Sequence, residues 1–184
     1  MSRTLLSTIG LISLIGAAAC NRAAVIPNDG AIRAKAFLLD TLGREIGSVK
    51  LTEKPGASGV DLEIEVSRGA TPGQHGIHFH AIGSCVPAQM FAAAGGHFNP
   101  AGKKHGLLVP DGPHAGDLEA ITVDYMGKSH FEVRTSRVTL SPGPNSLLDA
   151  DGSAIVLHAL PDDQRTDPSG ATGNRIACGV IVKI

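Results

Sequence analysis

Two histidines of this sequence, His78 and His80, stand two residues apart in the apolar run 76–82. Side chains alternate between the faces of a β-strand, so residues two apart share a face and lie about 7 Å apart along it. Two imidazoles on one rigid face can bind a single metal ion, while Phe79 between them points to the opposite face. Two surface histidines on a solvated strand give the same pattern, so the pair indicates a metal site only together with further ligands.

A second group of metal-ligand residue types lies in the stretch 83–117, which is rich in glycine and proline: His97, His105, His114 and Asp117. Imidazole nitrogens with one carboxylate are a ligand set of Zn²⁺, and four such ligands close the tetrahedron of a structural site. Each histidine alone would be expected as a solvated loop residue. An irregular segment of this length is rarely ordered unless it is functional or is held in place by a metal ion or a covalent cross-link. The four residues together therefore predict a zinc site that orders the segment.

One more histidine, His158, ends the apolar run 155–157, and Asp162 follows four residues later. A lone histidine at the end of an apolar strand is more often a core or rim residue than a ligand. Asp162 could accept a hydrogen bond from the free N–H of a ligand histidine, as carboxylates around metal sites commonly do. A plain turn residue is the alternative for Asp162, and the local sequence leaves both open.

The elements that must position these residues are short strands. With 184 residues, 23 glycines, no tryptophan and 42% apolar residues, the chain fits one β-rich domain with a core. A net charge of −1 excludes a strongly basic nucleic-acid binder and an acidic tail protein. Strands are predicted at 31–39, 45–52, 60–66, 76–82, 121–125, 131–140, 154–157 and 177–183, with a helical turn at 90–94. This pattern predicts an all-β antiparallel sandwich or barrel.

The first 19 residues have the features of a signal peptide, with Arg3 near the start, an uncharged apolar stretch over 5–19, and three alanines before Cys20. A buried core helix is the alternative. Small residues before a cysteine also resemble a bacterial lipoprotein box, in which Cys20 would be lipidated; plain cleavage is the other outcome. We therefore expect an exported, periplasmic protein with a signal peptide at 1–19, a tether at 20–30, possible membrane anchoring through Cys20, and one domain over 31–184.

The remaining two cysteines, Cys85 and Cys178, become the available pair if Cys20 carries lipid. Export places them where disulfides persist, which favours one bridge over two separate buried thiols.

Several motifs resemble the copper/zinc superoxide dismutase family, in particular its bacterial exported branch. They are His78-Phe79-His80, AGGHFNP at 94–100, Lys104-His105-Gly106, HAGDL at 114–118 and GNRIACGVI at 173–181. They occur in the family's order, and the resemblance spans about residue 30 to the C-terminus. It implies an eight-stranded antiparallel Greek-key sandwich or barrel with long metal-binding and electrostatic loops. It also implies an enzyme that converts superoxide to dioxygen and hydrogen peroxide with a cycling copper ion, bridged through His97 to a structural zinc.

The resemblance also assigns roles residue by residue. The copper ligands would be His78, His80, His97 and His158, and the zinc ligands would be His97, His105, His114 and Asp117. Cys85 and Cys178 would form the disulfide, Arg175 would attract the anionic substrate beside the copper, and Asp162 would link the two metal sites. His75 and His130 match no ligand and are expected to be bystanders. The sequence leaves the choice between monomer and homodimer open.

A different class of function remains open on the same fold. A non-catalytic exported carrier of copper and zinc would use similar ligands, and an adhesion sandwich would leave the histidines without a role. A carrier that had lost catalysis would be expected to lack a copper ligand or Arg175, and this sequence has all of them. The sequence departs from the family at Ala81-Ile82, where a charged residue is common. Because that charge is missing, the sequence does not define how strongly the substrate anion is attracted.

Overall fold

The computed structural model describes residues 28–184, and β-strands with two short 3₁₀ helices form the regular structure of this range. The strands are β1 Ile32–Asp40, β2 Glu45–Glu53, β3 Val60–Val66, β4 Gly73–His75, β5 Ile77–His80, β6 Ile121–Val123, β7 Ser129–Thr135, β8 Ala154–His158, β9 Arg175–Val180 and β10 Val182–Lys183. The 3₁₀ helices are Pro87–Gln89 and Ala92–Ala94. The predicted signal peptide, Cys20 and most of the tether lie outside the described residues. Within 28–184, no helix has the length and apolar character needed to cross a membrane.

Strand β3 shows how the sequence pattern sets the two faces of the sheet. Its apolar residues at 60, 62, 64 and 66 are buried, while the acidic residues between them are partly exposed. This alternation follows from the two-residue period of a strand. The buried face of β3 joins one hydrophobic core with residues such as Leu38, Val49 and Phe79.

All the paired strands are antiparallel, as predicted. The main sheet has the order β5-β8-β9-β1-β2-β3-β7, with β10 also paired to β1, and β4 and β6 form a second small sheet. The consecutive strands β1, β2 and β3 are neighbours, and β9 from near the C-terminus lies beside β1, so strands distant in the chain are adjacent, as in a Greek key. The predicted all-β antiparallel class is therefore confirmed.

Three details of the strand prediction and the bounds of the helical turn were wrong. The short strand β4 was missed. The predicted strand 177–183 is two strands, β9 and β10, separated at Ile181, whose N–H donates to Ser153 O at 3.0 Å. The predicted strand 131–140 ends at Thr135, whose hydroxyl accepts the N–H of Arg137 at 3.3 Å in a local turn. The helical turn predicted at 90–94 covers only its second half, because Met90 and Phe91 have positive φ values of 49° and 61°.

The long irregular stretch after β5 is covalently held to β9. Cys85 and Cys178 form a disulfide with a Cα–Cα distance of 5.6 Å, which confirms the predicted pair. Around it, Phe91, Ala94 and Val156 form a second small apolar cluster. The bridge and this cluster fix the start of the stretch on the same strand that carries Arg175.

Candidate metal centre

Strand pairing brings together four histidines that lie far apart in the sequence. His78 and His80 lie on β5, on the face opposite the core residue Phe79, and β8 pairs antiparallel with β5 and ends at His158. His97 reaches them from the long loop, where it forms an isolated β-bridge with His80. One nitrogen from each of the four rings lies within 4.8 Å of the other three.

Each of these four rings is fixed through one nitrogen and presents the other. Nε2 of His78 donates to Asp162 Oδ2 at 2.6 Å, and Nδ1 of His80 donates to Gly95 O at 2.9 Å. Nδ1 of His158 lies 3.1 Å from the Thr172 hydroxyl. The opposite nitrogens are buried and have no hydrogen-bond partner within residues 28–184: His78 Nδ1, His80 Nε2, His97 Nε2 and His158 Nε2. Buried polar atoms without partners are rare, and four convergent imidazole nitrogens are a ligand set suited to copper.

The predicted zinc ligands converge on one carboxylate oxygen. Oδ1 of Asp117 lies 2.9 Å from Nδ1 of His97, 3.0 Å from Nδ1 of His105 and 3.2 Å from Nδ1 of His114. Ligand atoms at the Zn–N and Zn–O bond lengths of a tetrahedral site lie about 3.3 Å apart, so this spacing fits a zinc ion. The other oxygen, Oδ2, accepts the backbone N–H of Gly106 at 2.9 Å, which fixes the carboxylate plane.

Either His78 or His114 is close enough to join His97, His105 and Asp117 as a fourth ligand, and hydrogen bonding decides between the two. His78, His97, His105 and Asp117 also have ligand atoms within 4.8 Å of one another. However, Nε2 of His78 is engaged by Asp162, and its Nδ1 belongs to the first set. His114, whose Nδ1 lies 3.2 Å from Asp117 Oδ1, is therefore the better candidate for the fourth member of the second set.

His97 is the residue shared by the two sets. Its Nδ1 faces Asp117, and its Nε2 is one of the four unpartnered nitrogens. Its ring stacks on that of His78 with centroids 4.1 Å apart. One imidazole thus has its two nitrogens in different ligand sets, which is the arrangement a bridging ligand requires.

Asp162 links the two sets from behind. Its Oδ2 accepts from His78 at 2.6 Å, and its Oδ1 accepts from Nε2 of His105 at 3.0 Å. Burial opposes ionisation, but these hydrogen bonds outweigh it and hold the pKa of the carboxyl well below its usual range. Of the two interpretations left open by the sequence, the contacts favour a partner of ligand histidines over a plain turn residue.

Burial keeps most of the first set in the neutral form that binds metals. Desolvation lowers the pKa of His80 well below its ordinary value, that of His97 to about 4 and that of His158 to about 3. In the second set, His105 shows the opposite shift: burial lowers its pKa, but hydrogen bonds with Asp117 and Asp162 outweigh burial and raise the pKa to about 9.

A cleft of about 480 Å³ opens over the site, and its lining includes His80, His97, His114, His158 and Arg175. Arg175 lies on β9 directly opposite His158. Its guanidinium donates from Nη1 to Phe91 O at 2.6 Å and from Nη2 to Gly95 O at 2.5 Å. The two carbonyls fix a partly exposed cation at the cleft.

Sequence reasoning missed the role of His75, which it treated as a bystander. The ring is buried, with Nδ1 2.7 Å from His158 O and Nε2 2.8 Å from Thr71 O. His75 is no ligand, but it ties the last residue of β8 to the segment before β4. His75 stands before the apolar run 76–82, between Gln74 and Gly76, so the local sequence gave no signal that its ring is buried. His130, by contrast, is exposed on β7 and donates to Glu65 at 2.5 Å.

Comparison with known proteins agrees with this geometry. A family model for copper/zinc superoxide dismutase matches residues 45–181. Superoxide dismutase (Cu-Zn) 2 of Aquifex aeolicus is 45% identical over 152 residues, 82% of this chain and 86% of that protein. Superoxide dismutase (Cu-Zn) of Caulobacter vibrioides is 45% identical over 142 residues, 76% and 79% of the two chains.

A solved structure gives the same result for the fold. The crystal structure of a SOD-like protein from Bacillus subtilis superposes with a TM-score of 0.75 at 36% identity, covering 80% of this chain and 97% of that one. The matched segment 45–181 contains both histidine sets, the disulfide and Arg175. The chain therefore belongs to the copper/zinc superoxide dismutase family.

Proposed function

We propose that this chain catalyses the disproportionation of superoxide, in which two superoxide anions and two protons give dioxygen and hydrogen peroxide. The observation that carries the proposal is the set of four convergent imidazole nitrogens, unpartnered within the described range and located at the cleft beside Arg175. A copper ion held by His78, His80, His97 and His158 would supply one-electron chemistry, accepting an electron from one superoxide and giving it to the next.

Zinc would have a structural role at His97, His105, His114 and Asp117. Zn²⁺ has no redox chemistry, so its contribution is to fix these side chains and the loop that carries them. The close approach of three Nδ1 atoms to one oxygen of Asp117 supports this ligand set.

Two residues of the chain would act on the substrate. Arg175 would attract superoxide to the cleft and orient it, because its guanidinium stays charged and its position is fixed by two carbonyls. When its Nε2 is not bound to metal, His97 would take up a proton from solvent there and pass it to the reduced oxygen, while Nδ1 remains held beside Asp117. Because the net charge is −1, attraction of an anion must come from such a local positive group.

The decisive experiment measures superoxide disproportionation by the exported protein loaded with copper and zinc. The matched samples are the same protein after selective copper removal and the His158→Gln variant. Fast turnover that disappears in both samples is expected. Stoichiometric binding of both metals without turnover would contradict the proposal and favour the copper and zinc carrier.

We also propose that the protein is exported to the periplasm and anchored by lipid on Cys20, with residues 1–19 removed and 20–30 as the tether. The apolar stretch before Cys20 supports this, and the Cys85–Cys178 disulfide fits an oxidising compartment. Mass spectrometry of the protein isolated from its host tests the proposal. An unmodified thiol at residue 20 would contradict lipidation, and a retained Met1 would contradict signal cleavage.

A further inference from the structure

Two side chains from different loops hold successive backbone carbonyls at the zinc candidates. Arg137, which follows β7, donates from Nη2 to the carbonyl oxygen of Asp117 at 2.5 Å. Gln164, which follows β8, donates from Nε2 to the carbonyl oxygen of Leu118 at 2.9 Å. We propose that Arg137 and Gln164 form a carbonyl clamp, a pair of positioning residues that hold Asp117 in the geometry required for zinc. The inference rests on the zinc site of the proposed function.

Every hydrogen-bonding group of Gln164 is used to join separate segments. Its Oε1 accepts the N–H of Leu107 at 3.0 Å, and its carbonyl accepts the N–H of Leu108 at 3.3 Å. Its own N–H donates to Oδ1 of Asp162 at 2.6 Å. Gln164 therefore connects the loop that carries His105, the chain after Asp117 and the carboxylate that links the two histidine sets.

The backbone of Gln164 supports a positioning role. Its φ of 57° lies in the left-handed region, which non-glycine residues seldom occupy. Such a conformation persists where the surrounding contacts determine it, and these residues are concentrated at functional sites. Here the contacts are the four hydrogen bonds that Gln164 makes to the zinc loop and to Asp162.

Arg137 is partly buried, and its Nε is buried with no partner in the described part of the chain. A guanidinium gives up hydration at this position and receives a short bond to a ligand residue's carbonyl in return. Burial lowers the pKa of Arg137, whereas the neighbouring charges of Asp117 and Glu119 oppose that shift. The cation therefore sits behind the carboxylate that gathers the three zinc histidines.

Asp117 needs such support because it lies in a loop. Its backbone has one isolated β-bridge, to His78, and no strand ladder. To share one metal ion, its Oδ1 must nevertheless keep its distances to three imidazole nitrogens constant within a few tenths of an ångström. Holding the carbonyls of residues 117 and 118 fixes the peptide plane between them and thereby the direction of the Asp117 side chain.

The test measures how fast the holoprotein releases zinc to an excess of chelator and records the visible absorption of Co²⁺ placed in the zinc site. Gln164→Met keeps the length of the side chain and removes both of its hydrogen bonds. Gln74→Met, an exposed position on β4, is the matched control. We expect about tenfold faster zinc release and an altered Co²⁺ spectrum in Gln164→Met, the lower end of effects seen around metal sites. Gln74→Met should match the wild type.

A second variant separates the two ends of the Gln164 amide. Gln164→Glu retains an acceptor for the N–H of Leu107 but has no donor for the carbonyl of Leu118. The clamp requires it to behave like Gln164→Met, whereas wild-type release by Gln164→Glu would overturn the role of the Leu118 bond. Arg137→Met should also accelerate release, and if that variant does not fold, the two Gln164 variants decide.

The outcomes distinguish failure of the clamp from failure of the zinc site. A wild-type protein that takes up no zinc would overturn the zinc ligand set itself. Zinc uptake by the wild type, with unchanged release and an unchanged Co²⁺ spectrum in Gln164→Met, would overturn the clamp alone. A lower unfolding temperature of the metal-free variant without those changes would assign Gln164 a purely structural role and would also overturn the clamp.

Discussion

Replacing His75 by leucine should destabilise the fold and weaken copper binding, although His75 belongs to neither ligand set. The ring joins two backbone carbonyls, those of His158 and Thr71, at 2.7 and 2.8 Å. Leucine fills most of the volume but can donate to neither carbonyl. Since a neutral imidazole has one N–H, the change isolates the loss of the ring's polar contacts with these carbonyls from the loss of packing.

The expected size follows from the burial of the two carbonyls. Leaving a buried acceptor without a donor costs about 1–3 kcal/mol. The contact with His158 is buried, whereas the contact with Thr71 is partly exposed, where water can replace the donor. We therefore expect a loss of about 1–3 kcal/mol, the cost of leaving one of these carbonyls without its donor, which corresponds to roughly 2–12 °C in Tm for a domain of this size.

Urea unfolding of the metal-free, disulfide-intact protein measures this loss, and Cu²⁺ titration measures the effect on the copper ligands. His130→Leu is the matched control, because His130 is exposed and pairs with Glu65 on the sheet surface. That variant should change stability by less than about 1 kcal/mol. Equal effects of the two substitutions, or wild-type stability of His75→Leu, would refute the argument from buried carbonyls.

Three further predictions concern other parts of the molecule. Arg175→Ala should lower the rate of superoxide disproportionation about tenfold at low ionic strength and weaken its salt dependence; an unchanged rate would contradict the role of Arg175. Replacing Cys85 and Cys178 by serine should cost about 4–5 kcal/mol in urea unfolding, because the bridge restricts a long loop in the unfolded chain; a loss below about 1 kcal/mol would contradict this. Partial burial raises and hydrogen bonds from Ser141 lower the pKa of the Glu53 carboxyl, with a net downward shift. The stability that the ionised Glu53 contributes is therefore present above the ordinary carboxyl pKa and is lost as the pH falls through the lowered pKa. Glu53→Gln should consequently make the urea midpoint decline less steeply between about pH 5 and pH 3.

The candidate ligands could be found from the sequence because metal chemistry restricts residue types. His78 and His80 share a strand face by the two-residue period, and the histidines of 97–114 stand in a loop that needed a reason to be ordered. His158 was ambiguous on local grounds, and the resemblance to a known family gave it a role. In the structure, its pairing through β8 with β5 places it beside the other three rings.

Residues that act through the backbone were invisible in the sequence. Nothing in the local pattern distinguishes His75 from His130, or Gln164 from any polar loop residue. Their roles depend on which carbonyls lie within hydrogen-bond distance. For His75 the carbonyl belongs to a residue 83 positions away, and for Arg175 it belongs to one 84 positions away. The break at Ile181 was missed for the same reason, since its N–H donates to the distant Ser153. The strand end at Thr135 was missed for a different reason, a local turn in which its hydroxyl accepts the N–H of Arg137.

The sequence by itself determined the all-β class, the alternation of β3, the cysteine pair and the residue types of the two ligand sets, because periodicity and ligand chemistry are local properties. The spacing of residues left the sharing of His97 and the link through Asp162 to the family resemblance alone, and the tertiary structure supplies the contacts: His97 Nδ1 faces Asp117, and Asp162 faces a histidine of each set. Tertiary structure also decided that Arg175 meets the cleft with its guanidinium held by two carbonyls. These facts depend on angles and distances between segments, which follow from the packing of the Greek-key sheet and its loops rather than from the spacing of residues along the chain.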